Sequence, residues 1–419
     1  MQGRRWFGRF LQKRLRVPLG TALADVELKG WKEVRITIVI GPFYPIPPVL
    51  GGAVEKVHLL LAGAYRAAGH DVTMISRRYK DFAADEVVEG IRHIRIRSTD
   101  RASSLAVNLL LDFCYAVRVA RALPPADVTI TNAFFLPLVL PHRRAGKIYV
   151  QVGRYPKGQM WLYFRADRLQ AVSRAVGAAI ARQVPWLKRK IAVIPYAISD
   201  LYFSQAADSG REPVVLYVGR IAREKGIELL IQGFARLQQR GDAVASKGWC
   251  LRIIGPYAVT QGGDGVEYLA QLRALAQRLG VGCEFLGPIF DQDALIREYQ
   301  RGGVFVYPSL AEAGESLGLA PLEAMATGCA AIVSDLRCFD DYIEDGATGL
   351  RFDHRGADPA DALAAQLARL IGNPEFLRRV ADAGRVMAGN FRTSVIARRM
   401  LDDFASLLAE PSNGEGLAR

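Results

Sequence analysis

Short apolar runs alternate with amphipathic helical stretches along most of this chain. The first run, Val34 to Ile40, is rich in β-branched residues and leads into Gly41 to Gly52, a loop with too much proline and glycine to be regular. A helical pattern fills about Ala53 to Ala68 and stops at Gly69. Further runs predict strands at Asp71 to Ser76, Ile91 to Ile96, Val128 to Thr131, Ile148 to Val152, Arg168 to Val172 and Ile191 to Ile194. Helical stretches intervene at about Leu105 to Ala122 and Arg174 to Gln183. Such alternation predicts a mainly parallel sheet covered on both faces, a first Rossmann-like domain over residues 34–198.

The pattern breaks at a polar stretch, Ser199 to Pro213, which reads as a linker (199–213). It restarts with a strand at Val214 to Val218 and a helix ending near Leu237. Strands follow at Leu251 to Ile254, Cys283 to Leu286, Val304 to Tyr307 and Ala330 to Val333, giving a second Rossmann-like domain over 214–373. Helices at about Asp358 to Ile371, Pro374 to Ala388 and Thr393 to Leu408 close the chain, and residues 411–419 read as a frayed tail.

Composition narrows the class. A length of 419 residues, half of them hydrophobic, suits two or three domains that each bury a core. No apolar run approaches the ~20 residues of a membrane-spanning helix, and no secretory pattern opens the chain, so the expected location is the cytoplasm. Five scattered cysteines and five dispersed histidines argue against a disulfide framework or a metal cage, and no metal is expected. The net charge of +13 favours an anionic partner. Part of it lies in a basic leader over residues 1–33, where Arg4, Arg5, Arg9, Lys13, Arg14 and Arg16 interleave with Trp6, Phe7, Phe10, Leu11 and Leu15. On a helix these apolar residues form a stripe, so residues 1–19 could lie on an anionic membrane surface as a peripheral anchor; a disordered basic leader competes equally. No nucleic-acid recognition motif accompanies the charge, and nucleic acid is not expected as a partner.

The densest chemistry falls between Gly314 and Gly328. Ser316 suits an N-cap, the run through Thr327 favours helix, and Gly328 can close it. Free N–H groups at Ser316, Leu317, Gly318 and Leu319 would then face an anion. Glu315 precedes this helix and Glu323 lies two turns along it, their backbones about 12 Å apart at ~1.5 Å per residue. A carboxylate only accepts hydrogen bonds and suits a vicinal diol, so the two could grip a sugar and a ribose with a diphosphate between them. The bland alternative is an ordinary helix with one glutamate favourably placed at its start and the other exposed.

Three other features bear on an anionic ligand. Arg220 and Lys225 flank the strand-to-helix turn after Val218, a planar fork and a mobile point charge that can point into one cleft. Gly51 and Gly52 permit close backbone approach after the first strand, where ligands of doubly wound folds collect. Arg154 and Lys157, on the loop after Val152, could supply charge to an acceptor; solvated loop charges are the simpler reading.

Pro308-Ser309, Glu315, Gly318, Glu323-Ala324-Met325-Ala326, Gly328, Asp345-Gly346 and Gly349-Leu350, with Gly219-Arg220 and Glu224-Lys225-Gly226, resemble the retaining glycosyltransferases of family 4, also called group 1. The resemblance covers most of the chain beyond Val34. It implies an α/β architecture of the GT-B type, two Rossmann-like doubly wound domains facing a central cleft, with a helical tail (374–410) packing back toward the first. It implies a nucleotide-diphosphate sugar as donor, UDP- or GDP-linked, and a glycan or lipid-linked acceptor in cell-surface polysaccharide or lipid-linked glycan synthesis. Glu315, Arg220 and Lys225 are the implied catalytic residues; Glu323, the Ser316–Leu319 backbone and Gly51-Gly52 are the implied donor contacts.

The chain departs from that pattern in three places. The loop Val150 to Gly158 lacks the family's histidine, Pro195-Tyr196-Ala197-Ile198 replaces an Asn-Gly, and Asp335 to Asp341 replaces a glycine-rich loop with bulkier residues. A dehydrogenase is disfavoured because no Gly-x-Gly-x-x-Gly opens a helix after the first strand of either half. A nucleotide-sugar epimerase of similar fold and a catalytically silent membrane scaffold are the other readings.

Overall fold

A computed structural model describes residues 32–204, 210–240 and 248–410. The leader over 1–19 and the frayed tail lie outside the described residues. The described chain forms two compact units: one takes in residues 32–199 and returns over residues 392–410, and the other runs from Asp200 to Phe391.

The first unit holds an eight-stranded sheet. Its strands are β1 (Arg35–Val39), β2 (Asp71–Arg77), β3 (Asp85–Val88), β4 (Ile91–Ile96), β5 (Val128–Thr131), β6 (Lys147–Val152), β7 (Arg168–Ala171) and β8 (Ile191–Val193). Their order is β3-β4-β2-β1-β5-β6-β7-β8, and every pair is parallel except β3 with β4. The sequence pattern misses β3, because an exposed edge strand reading Asp-Glu-Val-Val offers no buried alternation; its acids also discourage pairing with another edge. Central strands are buried on both faces, as parallel strands covered by helices must be.

The final helix, Thr393–Ala409, is what completes this unit. Phe404 sets its ring 5.8 Å from Tyr65 and 5.1 Å from Tyr149, both edge to face. The Tyr149 hydroxyl donates to Asp403 at 2.8 Å, and Arg168 pairs with the same carboxylate at 3.2 Å. Of the tail expected over 374–410, only this helix joins the first unit. The helix Pro374–Ala388 stays with the second, where it packs on Leu319–Ala326 and on the strand Ala330–Ser334.

The second unit has a six-stranded parallel sheet: β9 (Glu212–Val218), β10 (Cys250–Ile254), β11 (Cys283–Gly287), β12 (Gly302–Tyr307), β13 (Ala330–Ser334) and β14 (Leu350–Phe352), in the order β11-β10-β9-β12-β13-β14. The expected linker is partly structure of this unit. Asp200–Phe203 forms a 3-10 turn with Tyr202 and Phe203 buried, and β9 already begins at Glu212. Both units are Rossmann-like.

Candidate functional site

The loops beyond the carboxyl ends of β9, β12 and β13 assemble one polar cluster in the second unit. After β9 the chain turns through Arg223–Lys225 and Gly226 into the helix Ile227–Gln239. Gly226 adopts φ +67°, and a Cβ there would lie 2.1 Å from the carbonyl oxygen of Pro308. Only glycine tolerates both, so the turn can press against the loop after β12. That approach delivers the Lys225 ammonium to Glu315.

The resulting ion pair is short and mostly buried: Lys225 Nζ to Glu315 Oε2 is 2.6 Å, with the two side chains 7% and 10% exposed. The same carboxylate oxygen accepts from Ser309 Oγ at 3.0 Å and from the Tyr307 hydroxyl at 3.3 Å. Lys225 Nζ also lies 5.5 Å from the centre of the Tyr307 ring, an added cation–π attraction. Burial, with the Glu315 charge beside it, pushes the Tyr307 hydroxyl well above its ordinary range, so it donates as a neutral phenol. Tyr307 stacks on Tyr217 at 5.9 Å, and the Tyr217 hydroxyl donates to the Arg220 carbonyl at 2.9 Å. Glu315 is thus oriented by three donors, of which Lys225 and Ser309 stand in the sequence motif and Tyr307 does not.

Arg220 is more open. Its guanidinium bonds the Gly262 carbonyl and the Glu224 carboxylate, each at 2.6 Å, across a turn shared with Lys225. The structure places Arg220, Lys225 and Glu315 on loops at one end of the sheet, Lys225 on Glu315 and Arg220 on Glu224 and Gly262.

The helix start is not where the sequence suggested. The helix spans Leu319–Ala326 and its N-cap is Gly318, at φ +74°, with Ser316 two residues upstream. A side chain at 318 would meet the Phe339 ring at 2.8 Å and the Tyr342 hydroxyl at 3.1 Å. That hydroxyl donates to the carbonyls of Leu317 and Gly318, both at 2.9 Å. Tertiary packing thus sets the N-cap at Gly318: the segment Leu336–Tyr342 puts Phe339 and Tyr342 against the turn, where they fix Leu317 and Gly318 before the helix begins.

Glu323 sits in the second turn, half-buried, and accepts from the Tyr299 hydroxyl at 2.9 Å. Tyr202 of the Asp200–Phe203 turn bonds the same carboxylate. The two rings meet edge to face at 5.8 Å, and burial beside Glu323 pushes both phenols well above their ordinary range. Neither tyrosine was flagged by sequence, because one lies in an unremarkable helical stretch and the other in a stretch that reads as polar linker.

The loops after β10 and β11 have part of their main chain already committed. Gly255 N donates to Gly287 O and Ile221 N to Pro256 O, each at 2.9 Å.

In the first unit, Gly51 and Gly52 have φ +80° and +111°, and Gly52 caps the helix Ala53–Ala67. A side chain on Gly52 would strike the Glu55 carboxylate at 2.1 Å. This helix start therefore carries its own acid, which burial pushes above the usual carboxylate range while the Arg154 charge pulls it back. An anion at Gly51-Gly52 would have to displace or protonate Glu55, which corrects the simple phosphate-loop expectation. Arg154 neighbours Glu55 and Tyr196 electrostatically. Lys157 does not join them; its backbone N–H bonds Gln159 Oε1 at 2.7 Å and its side chain is exposed.

Residues 200–387 match the family model described as glycosyl transferases group 1. The chain is 32% identical over 205 residues to D-inositol 3-phosphate glycosyltransferase of Nocardia farcinica, covering 48% of this chain and 42% of that protein. It is 30% identical over 177 residues to α-maltose-1-phosphate synthase of Mycolicibacterium smegmatis, covering 41% and 42%. It thus matches less than half the length of these relatives. Among solved structures, sucrose-phosphate synthase from Thermosynechococcus elongatus superposes with a TM-score of 0.70 at 22% identity, over 90% of this chain and all of that one. Anabaena HepE in complex with UDP and glucose superposes with a TM-score of 0.69 at 15% identity, over 89% of this chain and 100% of that one. These likenesses show a shared fold.

Proposed function

From the match of residues 200–387 to the glycosyl transferases group 1 family model, we propose that this chain is a member of that family and transfers a sugar from a nucleotide-diphosphate sugar to an acceptor hydroxyl with retention of anomeric configuration. The observation that carries this reading is the Lys225–Glu315 pair, held by Ser309 and Tyr307 beside the start of the Leu319–Ala326 helix. Glu315 holds donor-sugar hydroxyls, and Lys225, with Arg220, meets the diphosphate. Glu323, oriented by Tyr299, takes the ribose diol.

In the transfer, the bond from the anomeric carbon to the phosphate oxygen breaks and a bond to the acceptor oxygen forms on the same face. The acceptor proton passes to the departing phosphate. Fixed positive charge at Lys225, Arg220 and the helix start stabilises that developing anion without reorganisation. Glu315 is committed to Lys225, Ser309 and Tyr307, which suits a binding group better than a covalent nucleophile.

The donor base is uracil or guanine; a fold neighbour crystallised with UDP and glucose supports a UDP-linked hexose. The acceptor we propose is a glycan, a lipid-linked glycan or a phosphorylated polyol. Relatives named for inositol 3-phosphate and maltose 1-phosphate support an anionic one, for which Arg154 is the better placed of the two loop cations.

Thermal-shift screening of the full chain against UDP- and GDP-linked hexoses tests the donor. Release of nucleoside diphosphate is then followed with and without acceptor. A melting temperature that moves with none of them would end this reading, and release independent of acceptor would favour hydrolysis over transfer.

A further inference from the structure

One outer layer of the first unit exposes apolar side chains that a folded surface has no reason to leave in water. The connections β4 to β5, β5 to β6, β6 to β7 and β7 to β8 all step the same way along the sheet. Right-handed crossovers therefore place the helix Leu105–Ala122, the turns Leu136–Val139, Gln159–Tyr163 and Pro185–Lys190, and the helix Arg174–Gln183 on one side. Six large residues of this layer point outward: Leu105 (71% exposed), Leu110 (61%), Phe113 (44%), Trp161 (60%), Phe164 (55%) and Trp186 (68%).

Direct contacts join their elements. The Phe113 ring lies 5.8 Å from Phe135, at the start of the turn Leu136–Val139. The Arg165 guanidinium bonds the carbonyls of Leu138 and Leu140, tying that turn to the Trp161–Phe164 segment. Lys190 Nζ donates to Ala166 O at 2.7 Å, tying the same segment to the turn that carries Trp186. The apolar residues thus stand on neighbouring elements.

Charge defines what this layer would meet. Between Pro141 and Lys190 the chain holds twelve lysines and arginines and one acid, Asp167. Asp167 is occupied internally, accepting from Ile148 N at 2.8 Å. Arg143, Arg144, Lys188 and Arg189 are exposed. Tryptophan and phenylalanine amid lysine and arginine is the composition of a surface that enters the headgroup region of an anionic bilayer.

We propose that this layer docks the protein on an anionic lipid surface, with Trp161, Phe164, Trp186 and Leu110 entering the interface and the surrounding cations on lipid phosphates. A second copy would set one basic face against another. The chain's own residues 1–19, with six arginines and lysines, meet the same objection. Nucleic acid satisfies the charge but gives Leu105 and Leu110 nothing to bury against. The inference stands independently of the glycosyltransferase reading.

The test is flotation of the full chain with vesicles of phosphatidylcholine containing roughly 30% phosphatidylglycerol, against phosphatidylcholine alone, at two salt concentrations. Wild type is expected on the anionic vesicles, at least about tenfold less on neutral ones, and weakened by salt. The variant Trp161→Ser/Phe164→Ser/Trp186→Ser is expected to lose about tenfold or more in binding with its melting temperature preserved, since all three side chains are exposed. Lys188→Gln/Arg189→Gln should lower the salt dependence, and deletion of residues 1–19 should leave binding in place. The proposal is overturned if wild type does not float, if the triple variant floats as wild type does, or if deleting residues 1–19 abolishes flotation. It also fails if the face retains a single-stranded oligonucleotide but no vesicle.

Discussion

Lys225 and Glu315 are ninety positions apart in sequence and 2.6 Å apart in space, in a setting where both charges are almost withdrawn from water. Removing one partner of such a pair strands the other, at a cost of about 3–5 kcal/mol, whereas replacing both can be close to neutral. The pair is therefore both a structural tie and the centre of the proposed chemistry, and its two roles separate experimentally.

Lys225→Ala should reduce turnover by about 10- to 1,000-fold, as loss of one oriented charge opposite a developing anion does. It should also lower stability by a few kcal/mol. Lys225→Met/Glu315→Gln should restore much of that stability and none of the turnover. Steady-state rates near wild type in Lys225→Ala would contradict the assignment, and urea unfolding of the double variant checks the structural half.

Tyr299→Phe removes one of the hydroxyls that orient Glu323 and leaves the ring packing against Tyr202. If Glu323 takes the ribose, the donor KM should rise several-fold, about 1 kcal/mol of lost orientation, with kcat little changed. Glu323→Gln should show the same pattern more strongly. A fall in kcat at constant KM would move Glu323 from holding the nucleotide to the chemical step.

Gly318→Ala puts a methyl at φ +74° and within 2.8 Å of the Phe339 ring. The backbone strain alone is worth about 1–3 kcal/mol, so the variant should unfold at lower denaturant and bind donor more weakly. Adding Phe339→Leu relieves the contact but not the φ, and should recover only part of the loss. Full recovery of the midpoint would mean that packing, not backbone conformation, requires glycine there.

His58 is buried in the helix Ala53–Ala67, its Nδ1–H donating to Val54 O at 2.8 Å, and burial holds its pKa down at about 4. His93 is held at about 4 for the same reason, with Arg95 reinforcing it. Unfolding returns each to about 6.5, so the unfolded chain binds more protons between those values and stability falls as pH drops through that window. Each histidine accounts for on the order of 3 kcal/mol across it. His58→Gln should flatten the acid limb of a stability-against-pH curve, and an unchanged slope from pH 6.5 to 4 would show that the His58 imidazole does not contribute to it.

Most of the framework was legible before any coordinates. The helices Leu105–Ala122 and Arg174–Gln183 and the parallel core strands begin and end close to where periodicity and glycine stops put them, because each buries a face whose spacing local sequence records. Glu315, Lys225 and Arg220 were legible by type and position, since a turn after a strand has few places to put a charged side chain except beyond the sheet. What the pattern could not supply were relations across long separations. That Ser316 yields the cap to Gly318 depends on Phe339 and Tyr342 rising beneath that turn. That Glu323 is gripped depends on Tyr202, which a polar stretch disguised as linker. That an acid sits on Gly52 depends on how Glu55 folds back. That Pro374–Ala388 and Thr393–Ala409 part company depends on Phe404 finding Tyr65 and Tyr149. Local sequence determines which elements form because their preferences are short-ranged; which hydroxyl meets which carboxylate is decided by packing, where one burial competes with every other in the folded chain.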